Sequence, residues 1–325
     1  MRAVLCKEFG PPESLSLEEV PAPALGPGQV RVAVKAAAIN FADTLVIQGK
    51  YQEKPPFPFI PGLELAGDIL ELGEGAPKHL APGQRVIGLS PKGAYCSEAV
   101  VDAAMVLPMP PGMDYAVGAS FPVAYGTSHM GLVDRAGLKA GETLLVLGAS
   151  GGVGLTAVEI GKALGARVIA AASSDDKLAL CRAHGADATI NYATEDLKAR
   201  MKELAPKGAD VIYDPVGGDA FDAALRCVAW EGRIVTIGYA SGRIPSVPAN
   251  LLLVKNCSVI GHYWGAYARH NPARLGQSLL ELMRMWSAGT LKPHVSHALP
   301  LAQYAEALRL LMDRKATGKV VLTIG

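Results

Sequence analysis

The chain has 325 residues, of which 50% are apolar, and it exceeds the roughly 100–200 residues of a typical domain, so we expect two domains with buried cores. Its 31 Lys and Arg residues nearly balance its 30 Asp and Glu residues, which argues against nucleic acid or an anionic membrane as a partner and favours a small molecule. Five scattered cysteines without a C-x-x-C pair, and no signal peptide or apolar run of about 18 residues, predict a cytoplasmic protein without a disulfide framework or membrane span.

Short β-type runs separated by Gly and Pro turns fill the first third of the chain. The turns include Gly26-Pro27-Gly28 and Pro82-Gly83. This spacing predicts an irregular all-β domain. The runs are Val30–Ala38, Leu65–Leu72, Arg85–Leu89 and Tyr95–Val101.

The pattern changes near Gly141, where apolar runs begin to alternate with helical segments, as in βαβ units with a parallel sheet. After about residue 262 we expect a helix over Pro272–Gly289. The β-branched run Lys319–Ile324 is expected to pair back with the N-terminal domain. The apolar runs of the βαβ region are Thr143–Gly148, Arg167–Ala172, Asp210–Asp214 and Arg233–Gly238.

A glycine-rich turn joins the first of these parallel strands to a helix. It runs from Gly148 to Gly154 with the sequence GASGGVG. Glycines let the backbone approach a pyrophosphate, and the N–H groups of a helix N-terminus favour its negative charge. A turn that serves only packing is the alternative, but the strand–turn–helix context favours dinucleotide binding.

The second parallel strand lacks the acidic residue that usually follows such a turn by about 20 residues and holds the ribose 2′-hydroxyl of NAD. It ends instead in Ala172, Ser173 and Ser174, with Lys177 shortly after. An acid there would repel a 2′-phosphate, so its absence favours NADPH. Alternatively Lys177 only solvates a helix face, and Asp175 and Asp176 weaken the local positive charge.

Taken together, these residues resemble the medium-chain dehydrogenases/reductases, and within them the zinc-independent quinone oxidoreductases that include zeta-crystallin. The resemblance covers essentially the whole chain. It implies an α/β protein with a GroES-like irregular β-barrel catalytic domain (1–122 and 263–325) and a Rossmann domain with a doubly wound parallel sheet (123–262). The motifs that carry it are Gly26–Val30, Ala38–Thr44, Pro61–Glu64, Gly83–Val86, Gly148–Gly154 and Gly318–Leu322.

Zinc-dependent members of that superfamily place a cysteine three residues before an aspartate, and a His-Glu pair after Pro-Gly. This chain keeps Asp43 and Glu64 but has Asn40 and Leu63 at the other two positions. Neither substitute is a usual zinc ligand, so we expect no catalytic metal. The pair His294 and His297 is interpreted as surface or packing histidines rather than as ligands.

The resemblance also assigns site residues. It places Asn40 and Tyr51 near the nicotinamide and the acceptor. Tyr51 would either hydrogen-bond the acceptor oxygen or form an aromatic wall, and Asn40 would otherwise be structural. Tyr263 and Trp264 would line the acceptor pocket. The remaining cofactor candidates are Thr127 at the domain entry, Ser150, Gly151, Gly152 and Val153 at the pyrophosphate, Ser173, Lys177 and Tyr192 at the adenosine ribose phosphate, Gly238, Tyr239 and Ser241 at the nicotinamide half, and Lys319, which is otherwise a solvated lysine.

The expected activity is transfer of a hydride from NADPH to a quinone or a related α,β-unsaturated carbonyl, because such acceptors need no Lewis acid. An enoyl-thioester reductase and a noncatalytic NADPH-binding protein are the alternatives. The resemblance also implies a homodimer through the Rossmann edge strand, for which Ser258–Gly261 is the candidate.

Overall fold

The computed structural model describes residues 1–91 and 93–325. Two compact units make up the chain: residues 1–123 with 293–325, and residues 124–292. The first boundary, between residues 123 and 124, falls inside a helix. The second boundary lies at 292/293, whereas we expected it at 262/263.

The first unit is built mainly on β-strands, as its Gly/Pro-punctuated sequence predicts. Strand β3 is the longest, and its side chains alternate between buried and half-exposed along its first half, the period of a sheet with one face on the core. The elements of the N-terminal segment are β1 (Arg2–Leu5), β2 (Ser16–Glu19), β3 (Gln29–Ile39), α1 (Phe41–Val46), β4 (Glu64–Leu72), β5 (Arg85–Leu89), β6 (Glu98–Asp102), β7 (Val106–Pro108) and α2 (Tyr115–Met130), which continues into the second unit.

The second unit alternates strands and helices. Its strands form one parallel sheet whose central members are buried on both faces, which explains their uninterrupted apolar sequence. The elements are β8 (Thr143–Leu147), α3 (Gly152–Ala163), β9 (Arg167–Ala172), α4 (Asp175–Ala183), β10 (Ala188–Asn191), α5 (Leu197–Leu204), β11 (Ala209–Asp214), α6 (Gly218–Leu225), β12 (Val228–Thr236), α7 (Ala249–Lys255), β13 (Ser258–Gly261), α8 (Tyr267–His270) and α9 (Pro272–Ser287).

The strand order in this sheet is β10-β9-β8-β11-β12-β13. Counted within the unit, the order is 3-2-1-4-5-6, the doubly wound arrangement in which a ligand binds beyond the carboxyl ends of the strands where the order reverses. The predicted Rossmann sheet is therefore confirmed. Strand β10 is one that the sequence analysis did not identify.

Helix α9 explains the shifted boundary. Its apolar face is buried in the second unit, and Ser278 Oγ lies 2.8 Å from His129 Nδ1 on α2. Arg274 Nε donates to Asp134 Oδ1 at 2.9 Å. These contacts join α9 to α2 and to the turn that follows α2, within residues 124–292.

The chain returns to the first unit with β14 (Val295–Pro300), α10 (Tyr304–Met312) and β15 (Lys319–Thr323). Strand β15 pairs antiparallel with β3, as the sequence predicts for the terminal run. The main sheet of this unit has the order β14-β15-β3-β4-β5-β7, with β6 also paired to β3. In the described part of the chain no helix combines the length and the apolar character that a membrane crossing requires.

Candidate functional site

The glycine turn between β8 and α3 is the first part of the candidate site. Gly148 has φ +55°, a conformation that side chains disfavour, and a Cβ on Gly154 would lie 2.3 Å from Gly148 O. Only glycine at position 154 lets the helix start this close to the strand. Glycine at positions 148 and 154 is thus needed for the local geometry.

The start of α3 leaves a cradle for an anion. The first hydrogen bond of the helix runs from Leu155 N–H to Gly151 O at 2.8 Å, so the amides of Gly152, Val153 and Gly154 precede it. A Cβ on Gly151 would meet only Gly148 O within 4 Å, at 3.4 Å, so the space beside it is open. These features fit a pyrophosphate, and the predicted residues Ser150, Gly151, Gly152 and Val153 all lie here.

The end of β9 contains the residues predicted for the adenosine ribose phosphate. Ser173 follows the strand, and Lys177 Nζ donates to Ser173 Oγ at 3.4 Å from the first turn of α4. Tyr192, just after β10, donates its N–H to Ala172 O at 3.1 Å, so it adjoins the same strand end. The structure therefore brings Ser173, Lys177 and Tyr192 together.

A carboxylate near this strand end is directed elsewhere. Asp175 Oδ1 accepts a hydrogen bond from Asn191 Nδ2 at 2.9 Å. Asp175 therefore interacts with the last residue of β10. The side chains immediately after β9 are the hydroxyls of Ser173 and Ser174, and a hydroxyl does not repel a phosphate.

The turn after β12 holds the candidates Gly238, Tyr239 and Ser241. Ser241 N–H donates to Val216 O at 2.9 Å, which fastens this turn to the one after β11. The buried carboxylate of Asp214 accepts the N–H groups of Val216 and Gly217 at 2.8 and 2.9 Å, and burial raises its pKa. The two turns are thus one rigid loop pair at the carboxyl edge of the sheet.

Thr127 is buried in α2 and is tied to the end of β13. His262 Nε2 lies 3.1 Å from Thr127 O, and burial lowers the pKa of His262 to about 4, so the neutral ring donates through Nε2–H. Trp264 is 8% exposed and packs on Gly126, where an added Cβ would lie 2.6 Å from the indole ring. Trp264 therefore packs within the unit, whereas we expected it to line a pocket, and Tyr263 is 36% exposed.

In the first unit, five buried polar side chains form one hydrogen-bonded cluster. Lys319 Nζ donates to Asn40 Oδ1 at 2.6 Å and to Glu64 Oε1 at 2.9 Å, and Asn40 Nδ2 donates to Glu64 Oε1 at 2.9 Å. Asp43 Oδ2 accepts from Asn40 N–H at 2.7 Å and from Tyr95 OH at 2.8 Å. We call Asn40, Asp43, Glu64, Tyr95 and Lys319 the lysine–carboxylate cluster.

Within the cluster, the ammonium group of Lys319 is paired with the carboxylate of Glu64. Glu64 is fully buried, and its second oxygen accepts Val123 N–H at 2.8 Å, while Lys319 is 6% exposed. The alternative interpretation of Lys319 as a solvated lysine is therefore wrong. The cluster brings Asn40 and Lys319 into direct contact, although 279 residues separate them in sequence.

Burial changes the pKa values of two groups in this cluster, Asp43 and Tyr95. Burial raises the pKa of Asp43 to about 7, against the hydrogen bonds from Asn40 N–H and Tyr95 OH that lower it. Burial also raises the pKa of Tyr95 well above its usual value, so its hydroxyl stays protonated and donates. Tyr95 lies in an ordinary strand-like run, so the sequence alone does not indicate that it is a site residue.

The lysine–carboxylate cluster does not suit a catalytic zinc ion. Asn40 and Leu63 offer no usual zinc ligand, and Glu64 is already bonded to an ammonium group, which would have to leave before a cation entered. Among residues 1–91 and 93–325, no three or more His, Cys, Asp or Glu side chains are grouped to hold a metal ion.

Tyr51, the other residue predicted near the acceptor, is half-buried in the irregular segment after α1. It lies in the same unit as the lysine–carboxylate cluster. Its two expected roles, hydrogen-bond donor to the acceptor and aromatic wall, stay predictions.

Comparison with known proteins agrees with this geometry. Residues 26–111 match the family described as alcohol dehydrogenase GroES-like domain, and residues 152–283 match that described as zinc-binding dehydrogenase. A quinone oxidoreductase-like protein 2 homolog from Nematostella vectensis is 42% identical, over 99% of this chain and 88% of its own length.

Solved structures of the same fold include complexes with NADPH. Escherichia coli quinone oxidoreductase complexed with NADPH has a TM-score of 0.92 at 30% identity, covering 100% of both chains. The quinone oxidoreductase of Thermus thermophilus, also solved as its complex with NADPH, has a TM-score of 0.87 at 33% identity, again over 100% of both chains. The chain, with its GroES-like and Rossmann units, belongs to the zinc-independent, zeta-crystallin-like quinone oxidoreductases of the medium-chain dehydrogenase/reductase superfamily.

Proposed function

We propose that this protein is an NADPH-dependent oxidoreductase that delivers the nicotinamide hydride to quinones or related α,β-unsaturated carbonyls without a metal ion. The end of β9 is the observation that carries the cofactor assignment. There a hydroxyl and an ammonium group, Ser173 and Lys177, stand where an NAD-binding protein has a carboxylate. The NADPH complexes of the two related quinone oxidoreductases support the same cofactor.

Each part of the cofactor has a proposed set of residues in this chain. The turn formed by Ser150, Gly151, Gly152 and Val153 would hold the pyrophosphate, and Ser173, Lys177 and Tyr192 the ribose phosphate. Thr127 and the turn with Gly238, Tyr239 and Ser241 would adjoin the nicotinamide half. When bound, the cofactor supplies the hydride, and the protein supplies orientation and a site from which water is excluded.

The chemistry of the first unit supports the proposed acceptor class. The lysine–carboxylate cluster presents an ammonium group where a Lewis acid would be needed to oxidise a simple alcohol. Acceptors that stabilise negative charge by conjugation do not need that help. We propose that Asn40 positions the acceptor and that Tyr51 is the hydrogen-bond donor to its oxygen. The amide of Asn40 is held rigidly by Glu64 and Lys319, which suits a positioning role.

An acceptor panel separates the candidate functions. NADPH oxidation is followed at 340 nm with 1,4-benzoquinone, 9,10-phenanthrenequinone, a simple enone and a crotonyl thioester, each with and without a chelator. We expect turnover with quinones or the enone that the chelator does not change. Faster turnover of the thioester would establish an enoyl-thioester reductase instead, and binding without turnover of any acceptor would establish a noncatalytic NADPH-binding protein.

A charge substitution tests the cofactor assignment. Lys177→Met removes the cation beside Ser173, and we expect the Kd for NADPH to rise about tenfold, because a hydrogen bond to a charged group contributes about 1.5–3 kcal/mol. The Kd for NADH should change less than about twofold, since NADH lacks the 2′-phosphate. The control is Lys202→Met, an exposed lysine on α5. Equal weakening of NADPH and NADH by Lys177→Met would contradict the assignment.

We also propose a homodimer through β13. This strand is at the edge of the six-stranded sheet, and α7 beside it exposes Leu253 (77%) and Val254 (65%). An unpaired edge strand next to exposed apolar side chains is a surface that proteins usually cover. Light scattering after size exclusion should give twice the chain mass of 33.9 kDa, and a monomer at micromolar concentration would refute this part. The cytoplasmic location stays a prediction.

A further inference from the structure

Three hydroxyl groups are buried directly beneath the start of α3. They belong to Ser128 on α2, Thr156 on α3 and Tyr213 on β11, and their exposures are 0%, 5% and 0%. Ser128 Oγ lies 2.7 Å from Thr156 Oγ1 and 2.9 Å from Tyr213 OH. We call Ser128, Thr156 and Tyr213 the hydroxyl cluster.

The hydroxyl cluster bonds to the first turn of α3. Ser128 Oγ donates to Val153 O at 2.8 Å. Thr156 Oγ1 is 3.1 Å from Val153 O and 3.3 Å from Gly152 O, and it is also 3.2 Å from Ala124 O on α2. The carbonyl of Val153, in the first turn of the helix, therefore has a side-chain donor in addition to the backbone donor of an ordinary helix.

A consistent set of donors accounts for all three hydroxyls. Burial keeps the phenol of Tyr213 protonated by raising its pKa, so Tyr213 donates to Ser128 Oγ. Ser128 then donates to Val153 O and accepts from both Tyr213 and Thr156, which uses its one donor and its two acceptor positions. Because each buried hydroxyl has a partner, the cluster carries little desolvation penalty, and replacing all its members with apolar groups of the same shape can be nearly neutral for stability.

The planarity of the peptide unit connects this cluster to the anion cradle. In a trans peptide the C=O of one residue and the N–H of the next are fixed in opposite directions. Holding the carbonyl of Val153 therefore fixes the direction of Gly154 N–H. This amide precedes the first hydrogen bond of the helix and points out of its N-terminus.

We propose that the hydroxyl cluster is a positioning device that aims the amide of Gly154 at the pyrophosphate of the nicotinamide cofactor. The inference rests on the proposed function for the identity of the ligand. It assigns a role in cofactor affinity to three residues that do not touch the cofactor. It also explains why hydroxyls rather than apolar groups occupy this part of the core.

The test replaces the three hydroxyls with apolar groups of similar shape, in the variant Ser128→Ala/Thr156→Val/Tyr213→Phe. Two ligands are titrated: NADPH, and adenosine 2′-phosphate, which lacks the pyrophosphate. We expect the Kd for NADPH to rise about tenfold and that for adenosine 2′-phosphate to change less than about twofold. A second readout is hydrogen exchange of Leu155 to Ala157 in the ligand-free protein, which should be about tenfold faster.

Two further variants complete the design. Tyr213→Phe alone should raise the Kd for NADPH about threefold, with the same selectivity over adenosine 2′-phosphate. This single variant provides the test if the triple variant does not fold. Tyr304→Phe in the first unit removes a comparable hydroxyl, bonded to Leu15 O at 2.7 Å, and should change neither Kd.

The outcomes separate this inference from the proposed function. Equal weakening of both ligands, or an unchanged Kd for NADPH together with unchanged exchange, would overturn the inference and leave the proposed function standing. Failure of the unmodified protein to bind NADPH would overturn the proposed function and, with it, the ligand named here.

Discussion

Removing the ammonium group of Lys319 is the substitution whose effect follows most directly from the first unit. In Lys319→Met, the carboxylate of Glu64 stays fully buried but loses its cation, which lies 2.9 Å away. Breaking a buried ion pair at one side costs about 3–5 kcal/mol. The hydrogen bonds from Val123 N–H and Asn40 Nδ2 remain, so we expect a loss of about 3 kcal/mol in the free energy of unfolding.

Urea unfolding followed by far-UV circular dichroism measures this loss. The matched control is Lys315→Met, because Lys315 pairs with Asp313 at 3.6 Å with side-chain exposures of 68% and 45%, and such a pair contributes under about 1 kcal/mol. Adding Glu64→Gln to Lys319→Met removes the uncompensated charge and should restore more than half of the stability. The reasoning is refuted if Lys319→Met costs no more than the control, or if the second substitution restores nothing.

Two further predictions concern Asp43 and the glycine turn. Because the pKa of Asp43 is about 7 in the folded protein and near 3.8 when unfolded, the folded chain holds an extra proton between these values, and stability from this group falls as pH rises through that window. Urea titrations at pH 4.5, 6 and 8 should therefore show that the free energy of unfolding of the wild type falls, relative to that of Asp43→Asn, by on the order of 3 kcal/mol between pH 4.5 and pH 8. A difference between the two proteins that stays constant with pH would contradict this prediction. In the turn, Gly154→Ala places a Cβ 2.3 Å from Gly148 O and should cost about 1–3 kcal/mol in unfolding free energy, whereas Gly151→Ala should keep the stability and lose NADPH affinity. Thermal unfolding and NADPH titration check both, and equal stability of the two variants would rule out the packing argument.

Sequence alone predicted the features that local patterns determine. The apolar runs identified β8, β9, β11 and β12, and the glycine spacing placed the turn before α3. The terminal run was expected to pair with the N-terminal domain and does so, on β3. Strand β10 was not identified because its sequence, Ala-Thr-Ile-Asn, is short and half polar at the sheet edge, and such a run does not differ from a loop.

The parts that depend on tertiary contacts were not predictable. Lys319 joins Glu64 across 255 residues of sequence, and no periodicity of either segment indicates that contact. The contact between Tyr95 and Asp43 is likewise not indicated by either sequence segment. The amphipathic pattern of α9 predicts a helix, but not the unit against which that helix packs. Similarly, Ser128, Thr156 and Tyr213 are ordinary residues of two helices and a strand until the fold brings them together.

Nucleotide titration of the metal-depleted protein tests the central claim most directly. Protein dialysed against a chelator is titrated with NADPH and with NADH, and then mixed with 9,10-phenanthrenequinone while absorbance at 340 nm is followed. We expect a Kd for NADPH at least about tenfold below that for NADH and undiminished quinone-dependent oxidation. Equal or tighter binding of NADH, or activity that returns only when zinc is added, would contradict the account.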